Sequence, residues 1–166
     1  MALITAAQAI TYSMNNANFS ADLINDNLIE VTELNHVKAA LGSDFYYDVI
    51  NDTATYATLL NGGTYTDSEG YTKSFQGLKK ALGFFVKYEA LPELMLQITN
   101  LGLQVNNSEF SNSASSAQRA EIRETALRQA NALMDECLEY LDEKVSTYTR
   151  YKKGTYKTIG GIILER

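Results

Sequence analysis

The feature that most constrains this chain is a single long helix written into residues 116 to 146. Ser115 is followed three positions later by Gln118, the spacing at which a hydroxyl and an amide each satisfy a free backbone N–H at a helix start. Apolar side chains then recur at Ile122, Ala126, Ala130, Leu133, Cys137, Leu141 and Val145, which is one face of a helix. The other face carries Arg119, Glu121, Glu124, Arg128, Asn131, Asp135, Glu139 and Asp142, with Glu124 and Arg128 in the favourable i,i+4 order. At about 1.5 Å per residue such a helix runs roughly 45 Å, more than the ~30 Å width of a small domain. Part of it must project from the core or meet a partner. Its first turns are expected to close a bundle, and its last turns to carry the following segment outward.

The rest of the chain reads as shorter helices that supply the core this helix closes. Residues 4–12 suggest a first helix, ended by the polar run from Ser13 to Asn18. Ser20 reads as an N-cap, and the next helix should run to Leu41 with Ile24, Leu28, Val31, Leu34, Val37 and Leu41 inward, stopped by Gly42. A third helix starts at Ser43 or Asp44 and is expected to continue, whole or broken, through Tyr56 to Leu60. Tyr and Thr flank a Gly-bearing turn in residues 64–72, which predicts a small hairpin or extended insertion. Phe75, Leu78, Leu82 and Phe85 define a helix over 74–91, ended or kinked at Pro92. Met95, Leu96 and Ile98 suggest a further buried turn, and residues 99–113 read as a polar loop. These elements predict an all-α fold: a compact bundle of four to five helices with a long C-terminal helix, the 64–72 insertion and an extended C-terminal arm. The domain expectation is a helical unit over 1–146 and a docking arm over 147–166.

A chain of 166 residues with 45% apolar content can bury one real core. No run approaches the ~18 apolar residues of a membrane span, so no membrane partner is expected. The N-terminus lacks the basic head and apolar run of a signal peptide. A single cysteine excludes an internal disulfide and fits synthesis in a reducing cytoplasm.

Charge is distributed unevenly along the chain. Residues 1–143 hold 8 Lys and Arg against 19 Asp and Glu, whereas residues 144–166 hold 6 against 1. An acidic body is poorly suited to gripping nucleic acid, which requires phosphate neutralisation. The basic tail could meet a phosphate backbone or an acidic protein surface.

The inventory for catalysis is thin. His36 is the only histidine, so the Glu33-x-x-His36 spacing, reminiscent of bundle di-iron sites, has no second histidine to complete it. Cys137 sits on the apolar stripe with no basic neighbour to lower its pKa and reads as a small buried residue. Asp26, Glu30 and Glu33 read as a solvated acidic face. Gly62-Gly63 and Gly160-Gly161 match neither a P-loop nor a dinucleotide fingerprint. No catalytic residue, metal site or cofactor is expected, and the chain reads as a non-enzyme.

The tail is the unusual segment. Thr147 to Lys153 is basic and aromatic, and Thr155, Thr158, Ile159, Ile162 and Ile163 favour extended structure around a Gly160-Gly161 pivot. A disordered terminus is the plain alternative, but disorder goes with low hydrophobicity and this segment is apolar. The partner-binding candidates are Tyr148, Arg150, Tyr151, Lys152, Lys153, Tyr156, Ile159, Ile162, Ile163 and Leu164, in an arm that could add a strand to a partner's sheet. Deleting residues 148–164 is expected to leave a folded domain that no longer assembles.

In order and spacing the chain resembles the head-to-tail connector (adaptor) proteins of tailed bacteriophages, most of all those of crAss-like and other Bacteroides phages. The resemblance is carried by Asn15-Asn16-Ala17-Asn18 before a helix ending Ala39-Ala40-Leu41-Gly42, then Phe45-Tyr46-Tyr47. It continues through Phe75 to Leu82, Thr99 to Gly102, the polar 106–115 loop and the closing helix, covering most of residues 4–146. It implies a structural virion protein at the head–tail junction, made in the bacterial cytoplasm. It further implies a homo-oligomeric ring, commonly of twelve copies, that extends the DNA channel beneath the portal. The implied partners are the portal and other tail or ring proteins, with non-specific proximity to DNA. A carboxylate-lined lumen would repel the DNA backbone, so the acidic half is expected to contribute more to the channel wall than the tail. Alternative readings are another ring or tail-completion component of the same fold, or a non-virion helical protein-binding module.

Overall fold

A computed structural model describes residues 2–13, 24–99, 102–105, 115–153, 156–159 and 162–165. The helix α6 (Leu78–Met95) is the element on which the others pack: α1 (Ala6–Ser13), α2 (Asp26–Thr32), α5 (Ala57–Asn61) and α7 (Ser116–Glu143) all lie against it. Leu78, Ala81, Leu82, Phe85, Val86 and Ala90 form one fully buried stripe along α6, and the side chains between them, Lys79, Lys80, Phe84, Lys87, Tyr88 and Glu89, are only partly buried. The helix runs on past Pro92 to Met95 rather than ending there.

Between α2 and α4 (Ser43–Asn51) the chain stays helical through a π segment, Glu33–Lys38, and the short α3, Ala39–Leu41. Asn25 caps the start, its side chain accepting from Leu28 N–H at 2.7 Å; the Ser20 cap expected from the sequence lies outside the described residues. Gly42, at φ 79°, supplies the stop. The π segment changes which residues face inward. Ile29, Glu33, Val37 and Leu41 are all buried at a spacing of four, which overshoots the ~3.6 residues of an α-helical turn and drifts round an ordinary helix. The wider π turn winds that drift back. The predicted inward stripe is corrected accordingly: Val31 and Leu34 stand 45% and 44% exposed, and Leu28 is only half-buried.

The all-α class is overturned. The molecule is mostly helical, but it also carries two-stranded antiparallel sheets: β1 (Gly63–Thr66) with β2 (Thr72–Phe75), β3 (Leu96–Thr99) with β4 (Gly102–Val105), and β5 (Tyr156–Ile159) with β6 (Ile162–Glu165). The count of four to five helices is also too low. The first hairpin is the 64–72 insertion, paired Tyr65↔Lys73 and Thr66↔Thr72. Asp67 shapes its tip by accepting from Glu69 N–H and Tyr71 N–H, while Lys73 bridges to it at 3.2 Å. Ser68 N–H donates to the Glu143 carboxylate at 2.9 Å and ties the tip to the end of α7. The second hairpin stands where a buried turn and a loop were expected; Ile98, Thr99 and Val105 are β-branched, a preference that the Asn- and Ser-rich surroundings hid. The third replaces the extended arm with two strands that satisfy each other's backbone, paired Ile159↔Ile162.

One close crossing fixes how the first hairpin meets α6. Gly62 and Gly77 both have positive φ, and a Cβ on either would run into the backbone of the other's segment. Only glycine permits the two strands' outer ends to touch there.

Candidate interaction surface

The long helix behaves in the opposite sense to the expectation. Its capping box is present: Gln118 N–H donates to Ser115 Oγ at 3.2 Å, and Ser115 N–H donates to the Gln118 side chain at 2.9 Å. From there to Glu124 every residue is exposed except the half-buried Arg119, and Ile122, the first member of the apolar stripe, stands 45% exposed. Arg123 lies over the Tyr88 ring at 4.4 Å and steadies this stretch against α6. Ile122 instead borders a cavity of about 620 Å³ that it shares with Lys87, Thr125 and Ala126. Packing begins in earnest at Ala126 and continues through Ala130, Met134, Cys137, Tyr140 and Leu141. The last turns, expected to project, are the buried ones.

An aromatic cluster anchors that end. The Tyr140 ring stacks on Phe75 at 4.4 Å and meets Tyr65 edge-on at 5.3 Å. After α7 the chain turns at Lys144 and folds back, so that Tyr148 and Tyr151 reach Phe45 at 6.0 and 5.4 Å; Tyr148 also meets Tyr56 at 5.4 Å. The hydroxyls are paired as well. Tyr140 and Tyr148 share a hydrogen bond of 3.0 Å, Tyr151 donates to Asp142 at 2.9 Å, and Tyr56 donates to Asp48. Burial, reinforced by the hydrogen bond each makes, pushes the Tyr140 and Tyr151 phenols above their ordinary range and lifts Tyr56 to about 12.

The predicted docking residues therefore divide. Tyr148 and Tyr151 are core residues, each 7% exposed, and the aromatic cluster runs straight across the expected domain boundary at 146/147. Arg150 is on the surface and pairs with Asp48 at 3.1 Å. Lys152 and Lys153 are exposed. Tyr156 and Ile159 fall on β5, and Ile162, Ile163 and Leu164 on β6. Sequence reasoning missed the tyrosines' role because Phe45 and Tyr56, their partners, lie some hundred residues earlier in the chain.

The Glu33-x-x-His36 pair is structural in its contacts. Glu33 is 1% exposed and accepts from Leu3 N–H and Tyr46 O–H, both at 2.9 Å. Burial outweighs those two donors and raises its carboxyl above the ordinary value. His36 stacks on Phe85 at 4.2 Å and its Nε2 meets the Glu89 carboxylate at 2.8 Å. Cys137 is fully buried, and its thiol is pushed up to about 12 by that burial. Among the described residues no group of three or more His, Cys, Asp and Glu could hold a metal ion, and no helix is long and apolar enough to cross a membrane.

Among the described residues two helical stretches expose large aliphatic side chains: the first turns of α7, with Ile122 45% exposed, and the outer side of α2 and the π segment, with Val31 and Leu34. Sequence reasoning placed Ile122, Val31 and Leu34 inside the core. No local signal marks the second, because the four-residue spacings from Ile29 to Leu41 recur from Leu133 to Val145 along the α7 stripe. A family of unknown function, DUF6712, matches residues 37–160, well over half of the chain, and the chain belongs to it. No curated protein and no solved structure matches.

Proposed function

We propose that this member of the DUF6712 family is a structural subunit of a tailed-phage virion, one copy in a ring between portal and tail that extends the DNA channel. The observation that carries this reading is the build of α7: a 28-residue helix with a complete capping box whose first turns contribute almost nothing to the subunit's own core. A helix end that is capped but not packed is stabilised locally and offered outward, and isolated helices of such length gain little unless a face is covered. The aromatic anchor at the other end supplies the rigidity such a strut needs. Closing a ring takes two different patches on each subunit, related by a rotation that closes. The sequence resemblance supplies the setting, and the net charge of −6 suits a channel wall that must not hold DNA.

Particle purification with quantitative mass spectrometry tests the reading. The expected result is a virion component in the fixed ratio that a closed cyclic assembly gives, with the connector resemblance implying about a dozen copies. Absence from purified particles overturns it, and points to a module directed elsewhere. Within a particle map, Asp and Glu side chains are expected on the lumen; a lumen lined by Arg150, Lys152 and Lys153 refutes the channel assignment.

A further inference from the structure

We infer that the subunits touch through a basic groove at the start of α6 on one copy and the acidic, apolar outer side of α2 and the π segment on the next. This rests on the assembly reading and goes beyond it by naming the two faces. The groove is a cavity of about 480 Å³ where α1, α5 and α6 meet. Lys79 and Lys80 line it together with the apolar Leu60 and Phe84 and the ring-bearing Tyr12. Lys79 donates to the Asn61 side chain at 3.2 Å and Lys80 to the Gln76 side chain at 2.9 Å, so both ammonium groups are positioned by neutral amides and no carboxylate lines the groove. In a body with 8 cations against 19 anions, two adjacent lysines lining a cavity with no acidic partner among the described residues are a local inversion of charge.

The opposing face has the complementary chemistry. Asp26 and Glu30 are exposed on α2, one turn apart, and the apolar pair Val31 and Leu34 follows them. Lys38, at the end of the π segment, lies 4.8 Å above the Tyr47 ring and donates to its hydroxyl at 3.3 Å. An apolar ridge flanked by carboxylates thus answers an apolar lining beside ammonium groups, the pattern that gives an interface both burial and register. The two faces do not overlap. Phe84 and Lys80 look into the groove, whereas Phe85 and Glu89 look toward His36 on the inner side of the π segment, so the faces lie on different sides of α6. Contact between them is heterologous and propagates from copy to copy. A second copy of this chain is the occupant to which the charges commit the groove.

Charge exchange on the full chain tests the contact. Lys79→Glu with Lys80→Glu, and separately Asp26→Lys with Glu30→Lys, should each weaken self-association at least about tenfold in sedimentation and native mass spectrometry, because like charges then face each other. Combining all four should restore it. A Leu34→Cys, Asn61→Cys chain should form disulfide-linked ladders between copies on oxidation, with the buried Cys137 silent. Thermal unfolding confirms that each variant is folded, and the cysteine pair reads the contact even where a charge variant is not. If the chain assembles but neither reversal weakens it and no ladder forms, the contact is refuted while the ring stands. A chain that stays monomeric at every concentration also refutes the contact, and particle composition then judges the ring by itself.

Discussion

Truncation separates the two ends of the 147–166 segment. If residues 147–153 were an arm leaving the body, ending the chain after Ser146 would cost little stability. The structure says otherwise, because that cut removes Tyr148 and Tyr151, both 7% exposed and both in ring contact with Phe45. Losing a large buried aromatic side chain costs about 3–5 kcal/mol. Two of them cost roughly 6–10 kcal/mol, a large part of the ~5–15 kcal/mol that holds a domain folded. The cut also strips the Tyr140 hydroxyl and the Asp142 carboxylate of their phenol partners. Ending the chain after Lys153 instead spares all of these contacts.

Urea unfolding followed by far-UV circular dichroism reads the difference directly. The chain ending at Lys153 should unfold cooperatively with most of the full-length stability, and the chain ending at Ser146 should be largely unfolded without denaturant. The full-length Tyr148→Phe variant calibrates the comparison: it keeps the ring and loses one hydrogen bond, for about 0.5–1.5 kcal/mol. A chain ending at Ser146 that lies within ~1 kcal/mol of full length refutes the aromatic anchor. It would also restore the arm beginning at 147.

Three further outcomes follow from the same geometry. Val31→Glu and Leu34→Glu should each change stability by no more than about 0.5 kcal/mol, as at other exposed sites, while Ile29→Ala should cost ~2–5 kcal/mol; the reverse ranking in urea denaturation refutes the π-segment register. Glu33 has a folded pKa raised by burial, so its contribution to stability is fully present below the unfolded value and is lost as pH rises through the folded one. The stability of the parent relative to Glu33→Gln should therefore increase as pH falls through the carboxylate range, and a flat difference argues against a buried, titrating Glu33. Cys137, fully buried with its thiol near 12, should resist alkylation at mildly alkaline pH and react only at the rate of global unfolding; rapid native labelling contradicts its placement.

What the sequence made legible was local. The Ser115–Gln118 box, the Gly42 stop and the hairpin over 64–72 each depend on residues within a few positions of one another, and each is where local chemistry puts it. Periodicity carried less. Four members of the seven-residue α7 stripe are buried, but Ile122 and Val145 at its two ends are not, because an amphipathic pattern says which face could pack and not how far the core extends beneath it. The α2 stripe failed for a sharper reason. A template of about 3.6 residues per turn started at Leu28 selects Val31 and Leu34, whereas the buried face of α2 runs through Ile29 and Thr32, and the π segment then makes the template wrong for Leu34. The tyrosines after α7 looked like surface chemistry because they sit among Arg and Lys; only tertiary contacts with α4 reveal them as core. The docking face beside Leu34 was hidden by the same register error that made it look buried.

The π segment and the exposed face are linked by one buried carboxylate. A helix normally sheds an extra-wide turn because it weakens the ladder, so something must hold it. Glu33 sits at the first position of the segment and binds Leu3 N–H on one side and Tyr46 O–H on the other, joining the N-terminal stretch and α4 to the helix between them. In a regular α-helix the four-residue spacing would rotate Val37 and Leu41 off the face that holds Glu33 and Ile29, and one end or the other would lose its burial. The wide turn keeps both ends buried and leaves Leu34 outside, while Val31, two residues after the buried Ile29 on regular α2, already points away from that face. The apolar ridge is thus a consequence of how the core is satisfied. Its side chains ride on a backbone tethered through Glu33 to both Leu3 and Tyr46, the condition under which a small patch binds without a large ordering cost.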